Sequence, residues 1–333
     1  MRSIRGKPNA ALLVVTFAIF VDLMVYGLMV PVLPLYASEL GASRSATGLL
    51  LGAYGLAVVV ATPLFGVLAD RFGSKRPMVL GLLGLAAATL LFAYAPGLGW
   101  LFVARILQGV SAAASWVAGL ALLASVFPAD QRGRAMGTAL AGTAVGTLLG
   151  PPLGGLLYDW GGLRLPFFVA ASLAALDGVA RLSLTVEERR QEQRERFAPG
   201  ILFSDRVVLL GGVAVLLAAG ANASIEPVLP LHLSQALGAT PTEIGLLFGA
   251  STLAFGVFSP AAGTLSDRLG RLAVVGLGLL ATGVSLPLLV ASDSLWVEAL
   301  AMGVFGVAVG LALAPTMPFL ADAAERRGSR ATG

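Results

Sequence analysis

Ten stretches of mostly apolar residues run the length of this chain, near positions 10–36, 46–68, 77–95, 98–127, 135–158, 165–185, 207–231, 242–265, 272–291 and 295–320. A helix of about 20 apolar residues is long enough to cross the hydrocarbon core of a bilayer. Only 12% of residues are charged, against about 25% in a soluble domain. The chain therefore reads as an all-α membrane protein. Arg2, Arg5 and Lys7 precede the first apolar stretch, which imitates a secretory signal. That stretch is too long for a signal and has no small-residue cleavage site.

The charges that remain set an orientation. With the N-terminus in the cytoplasm and sides alternating, Arg71, Lys75, Arg76, Arg132, Arg134, the arginines between 189 and 206, Arg268, Arg271 and the C-terminal arginines all fall inside. Only Arg44 and Arg164 fall in outside loops, which is the positive-inside pattern of a multi-pass protein of the cell membrane. The net charge of +4 is dealt out singly between apolar runs, so nucleic acid is not expected as a partner. The chain has no cysteine and one histidine, His232; disulfides, thiol-bound metal and a zinc site are not expected. No nucleophile–base set and no phosphate-cradling loop occurs, so neither an enzyme nor a cofactor is expected.

The chain also repeats itself. Pro31-Val-Leu-Pro-Leu recurs 196 positions later at Pro227. Gly41-Ala42 recurs as Gly238-Ala239, and Gly48 with Gly52 as Gly245 with Gly249, each 197 later. Gly66-Val-Leu-Ala-Asp70-Arg71-Phe-Gly73 recurs as Gly263-Thr-Leu-Ser-Asp267-Arg268-Leu-Gly270. Two homologous halves joined by a polar linker are a common transporter design, with the substrate site between them. The expected division is a six-helix bundle over 1–185, a solvated cytoplasmic linker over 186–206 and a second bundle over 207–333. Arg134-Ala-Met-Gly137 aligns with Arg330-Ala-Thr-Gly333. The second bundle is thus expected to lack its last two helices, and a fragment of a twelve-helix protein is preferred over a shortened natural product.

Four local patterns carry chemistry. In Gly66–Arg76, Asp70 sits at a helix end beside Arg71 and Arg76, while Gly66 and Gly73 allow close approach and a turn. Its second copy holds Gly263, Asp267, Arg268 and Gly270. Arg105, in Arg105-Ile-Leu-Gln108-Gly109, is the lone charge between positions 77 and 128; an intramembrane arginine is costly and points to function. Gly142, Gly146, Gly150 and Gly154 recur every four residues, with Pro151 and Gly155 alongside, and so share one helix face for close packing. Asp22 lies nine residues before Pro31, in mid-span, and Glu226 directly precedes Pro227. A carboxylate in a low-dielectric site can hold a proton near neutrality or stay ionised against a cation. Asp177 and Arg181 are four apart and are read as an ion pair at a helix end near the cytoplasm. Tyr26, Tyr54, Phe248 and Phe255 are expected as apolar lining or packing, and His232 as an interfacial residue.

The Gly66–Arg76 segment resembles the signature loop of the major facilitator superfamily, and the resemblance covers essentially the whole chain. It implies two pseudo-symmetric helical bundles, a small-molecule substrate and function as a monomer. The loops at Asp70 and Asp267 would then latch one half against the other. Arg105-Ile-Leu-Gln108-Gly109 resembles the motif associated with proton coupling in drug antiporters, and the α-helical glycine row resembles the fifth-helix motif of proton-coupled exporters. Asp22, Glu226, Leu176-Asp177-Gly178, Tyr158-Asp159 and Pro166-Phe167 together resemble the vesicular amine transporters and their bacterial relatives. Those transporters use further acidic residues in helices ten and eleven, whereas here Leu295–Leu320 holds only Glu298, near its outer end. The function implied is proton-coupled efflux of a small cationic or amphipathic drug-like solute, with Asp22, Arg105 and Glu226 as coupling or substrate residues. Transport of another metabolite on the same fold, or a non-transporting membrane remnant, are the alternatives.

Overall fold

A computed structural model describes residues 8–183, 206–291, 293–316 and 319. The polar linker other than Arg206, the N-terminal basic residues and the match at Arg330–Gly333 lie outside the described residues. The described chain is helical, with no strand: α1 Pro8–Glu39, α2 Arg44–Phe72, α3 Lys75–Ala93, α4 Leu98–Val126, α5 Ala129–Gly161, α6 Arg164–Ser183, α7 Arg206–Leu237, α8 Pro241–Leu269, α9 Arg271–Leu288 and α10 Leu295–Leu313. All ten are long and apolar enough to cross a membrane. The helices overrun several expected spans by a few residues, because helical hydrogen bonding continues past the apolar run. At α2, for example, the Ser43 hydroxyl caps the start by accepting from the Ala46 N–H at 3.2 Å.

The internal repeat is visible in the backbone. Arg44–Phe72 and Pro241–Leu269 are both 29 residues, offset by 197 at each end. The turns match too: Gly73 and Gly270, which follow these two helices, have φ of 80° and 91°, a left-handed conformation that favours glycine. Gly41 and Gly238 form a second such pair.

The chain divides into two compact units, Met1–Gln193 with Thr240–Gly245, and Arg194–Ala239 with Leu246–Gly333. In the first, Val25, Leu28, Met29 and Leu33 of α1 pack with Leu85 and Phe92 of α3, Leu101 of α4 and Phe167 of α6. The Phe92 and Phe167 rings stack at 5.6 Å. The outer face of α2 shows Leu49, Leu56, Val59, Val60 and Leu64, an apolar surface suited to lipid rather than water. Since lipid is as apolar as leucine, small residues that admit close backbone contact decide the helix crossings. An added Cβ at Gly109 of α4 would meet Tyr54 O of α2, and one at Gly81 of α3 would meet Ser115 Oγ of α4, each within 3 Å. In the second unit Gly306 of α10 meets Ser251 O of α8, and Gly278 of α9 meets Ala312 of α10, again within 3 Å. These are the same two crossings 197 positions on.

Candidate functional site

Asp22 sits halfway along α1 and is 4% exposed. The Trp116 indole of α4 donates a hydrogen bond to its carboxylate, while Asp22 Oδ2 is buried and accepts none. Asp177 and Arg181 of α6 interact with it electrostatically. Those two form an ion pair at 2.5 Å between Asp177 Oδ2 and an Arg181 guanidinium nitrogen. The pair lies in the last turns of α6, as the spacing implies, but it is not solvated there: both residues are buried, Asp177 completely. The cause is local. Gly178 lets α6 close on Leu82 of α3, and one turn along α3 the Met78 carbonyl accepts from Arg181 at 3.2 Å. Ser115 Oγ of α4 accepts from the same nitrogen at 2.9 Å. The ion pair expected from the spacing is thus present at the end of α6, and it belongs to a buried network joining α1, α3, α4 and α6.

Arg105 is 0% exposed, so it does not reach out to the interface. Its guanidinium lies 5.0 Å from the Tyr26 ring centre and 5.1 Å from that of Tyr54, and it donates to Gln108 Oε1 at 2.7 Å. The two rings, 4.9 Å apart, supply cation–π stabilisation where water does not. Arg105 Nε and one terminal nitrogen are buried with no hydrogen-bond partner. Tyr26 and Tyr54, expected as apolar lining, therefore surround a charge. Tyr26 is one helical turn from Asp22, which puts the two ionic features on neighbouring levels of α1.

The α5 glycine row faces α1. Added Cβ atoms at Gly142, Gly146 and Gly150 would sit 2.6 Å from Thr16 O, 2.7 Å from Phe20 O and 2.7 Å from Gly27 Cα. Gly154 abuts Leu28 in the same way, and Pro151 packs on Gly27. The row is thus the seat of the helix that carries Asp22. Gly155 follows it on α5.

The signature segments end α2 and α8. Asp70, Arg71, Arg76, Asp267 and Arg268 are exposed, with the Arg76 guanidinium 6.0 Å over the Phe72 ring. Gly73 and Gly270 make the turns, whereas Gly66 and Gly263 have no neighbour within 4 Å of an added Cβ. The expectation that Gly66 admits a close helix approach within its own unit is not met. In the second unit Glu226 is 9% exposed on α7, and His232 is half-buried. Glu298, assigned no role from sequence, is 0% exposed at the start of α10, and neither carboxylate oxygen accepts a hydrogen bond. No cluster of three or more metal-ligating side chains occurs among the described residues.

Comparison with known proteins agrees with this architecture. The chain is 31% identical over 281 residues to the mouse synaptic vesicular amine transporter, covering 83% of this chain and 54% of that protein. It is 31% identical over 288 residues to the human chromaffin granule amine transporter, covering 86% and 55%. It is 28% identical over 291 residues to multidrug resistance protein 2 of Bacillus subtilis strain 168, covering 84% and 72%. The chain spans about half the length of the amine transporters it matches. Among solved structures, a bacterial homolog of the human lysosomal transporter Spinster, inward-facing and unoccupied, superposes with a TM-score of 0.74 at 14% identity, covering 94% of this chain and 74% of that one. That likeness speaks to fold. A family model described as Major Facilitator Superfamily matches residues 15–225 and 211–333, and with ten apolar helices the chain is a multi-pass membrane protein that belongs to the major facilitator superfamily.

Proposed function

We propose that this chain carries out proton-coupled efflux of a small organic cation or cationic amphiphile, with Asp22 as the exchanging carboxylate. The observation that carries the reading is Asp22 itself: buried in mid-span, oriented by Trp116, and with one oxygen that accepts no hydrogen bond. Such an oxygen can take a proton or face a cation, and binding one excludes the other. The similarity to amine transporters and to a bacterial multidrug resistance protein supports a cationic substrate. Arg105 holds the level above Asp22 through its two tyrosines, and Glu226 supplies a second carboxylate on α7. The loops at Asp70–Arg71 and Asp267–Arg268 act as the cytoplasmic latches, with the N-terminus in the cytoplasm of a cell-membrane monomer.

The test is uptake of tetraphenylphosphonium into proteoliposomes under an imposed pH gradient. Gradient-driven accumulation by the parent, falling to the level of empty vesicles in Asp22→Asn, is the expected result. Undiminished accumulation by Asp22→Asn would sink the assignment.

A further inference from the structure

The network beside Asp22 holds a cation of its own. Arg181 reaches from α6 into the same buried region of the first unit, where it interacts electrostatically with Asp22. It is held elsewhere by three partners: Asp177, Ser115 Oγ and the Met78 carbonyl. Its Nε is buried with no hydrogen-bond partner, and so is Asp22 Oδ2. A spare donor and a spare acceptor thus stand in one low-dielectric cluster, unpaired with each other. Buried charges pair wherever geometry permits, so what keeps Arg181 from Asp22 has consequences for any other cation.

We infer that Asp177 and Arg181 are positioning residues for cation exchange at Asp22: Asp177, with Ser115, retains the resident Arg181 cation on α6 and so leaves the Asp22 carboxylate open to a solute cation. This rests on Asp22 being the cation site. The charges acting on Asp22 are those of Arg181 and Asp177, both on α6; α4 presents Trp116 to it, and α5 presents its glycine face to α1. With Arg181 engaged, the cluster of two carboxylates and one guanidinium carries one net negative charge, which one bound cation neutralises. When Asp177 is lost, Arg181 is released from its carboxylate partner and competes with the solute for Asp22. When both members of the pair are lost, the competitor is gone and one negative charge remains.

The test is equilibrium binding of radiolabelled tetraphenylphosphonium to the chain in lipid nanodiscs at one fixed pH, with folding checked by thermal unfolding. Asp177→Asn is expected to weaken binding at least about tenfold, the scale of a close charge pair. The double variant Asp177→Asn/Arg181→Gln is expected to return to within about threefold of the parent, because the two sites are coupled rather than additive. A purely structural pair would show the reverse, with the double variant no better than the single. Ser115→Ala loosens the same hold and is expected to weaken binding about threefold, an effect that Arg181→Gln cancels; this pair decides the matter if Asp177→Asn does not fold. Asp22→Asn runs in parallel. If it binds like the parent, the cation site at Asp22 is wrong. If it loses binding while Asp177→Asn and Ser115→Ala bind normally, or while Arg181→Gln fails to rescue them, the positioning role alone is overturned.

Discussion

Gly109 meets the Tyr54 carbonyl in the first half of the chain, and 197 positions on Gly306 meets the Ser251 carbonyl in the second. Gly81 against Ser115 repeats as Gly278 against Ala312. The charges do not repeat. Asp22 of α1 corresponds to Ala218 of α7, and Arg105 of α4 to Met302 of α10, both apolar and fully buried. In the other direction, Glu226 corresponds to Val30 and Glu298 to Leu101. The first half fully buries charged residues of both signs, while among the described residues of the second the charged residues buried as a whole are Glu226 and Glu298. Helix crossings are duplicated because close backbone approach needs a small residue at one position per crossing. Buried charge is costly wherever it falls, and the two halves place it at different positions.

The largest effect should separate the halves at their matched first helices. Asp22→Asn is expected to cut gradient-driven tetraphenylphosphonium accumulation about a hundredfold, the loss of one charge-assisted interaction. Ala218→Ser, whose hydroxyl can bond back to its own helix, should leave accumulation essentially unchanged. Equal losses at both sites would break the claim that chemistry is unshared.

Next come the shared crossings. Gly81→Ala and Gly278→Ala should each destabilise by about 1–3 kcal/mol through overpacking, read from thermal unfolding by tryptophan fluorescence. A loss at one crossing alone would show that the packing is not duplicated in energy. A smaller effect is expected at Arg105→Lys, which keeps the charge but gives up the flat guanidinium between Tyr26 and Tyr54, at about 1 kcal/mol; Met302→Leu gives the apolar baseline. The smallest is at Gly66→Ala and Gly263→Ala, where an added Cβ meets open space within the unit, and stability should stay within about 0.5 kcal/mol.

What the amino-acid sequence reveals of this molecule follows the range of the interactions involved. Helix positions and the duplicated turns depend on local composition and on glycine, so the ten spans and the Gly73/Gly270 pair are legible in the order of residues alone. The 197-residue offset also reaches Gly81/Gly278 and Gly109/Gly306, a signal carried by the repeat, with only Gly109 lying in one of the local motifs. Depth and pairing are not legible. Asp177 and Arg181 are four apart, which shows that they can pair, but their burial depends on Gly178 fitting Leu82 and on Ser115 arriving from α4. Arg105 shows its charge in the sequence and hides its neighbours, because Tyr26 and Tyr54 come from two other helices. Glu298 looks like an outer-end residue on its own helix, and only packing makes it fully buried.

The most direct test of the account is to count protons released into weakly buffered solution as tetraphenylphosphonium, which carries no exchangeable proton, binds to the purified chain. Release on binding by the parent, lost in Asp22→Asn and retained in Glu298→Gln, is the predicted result. Release that persists undiminished in Asp22→Asn would contradict it and move the exchanging carboxylate elsewhere.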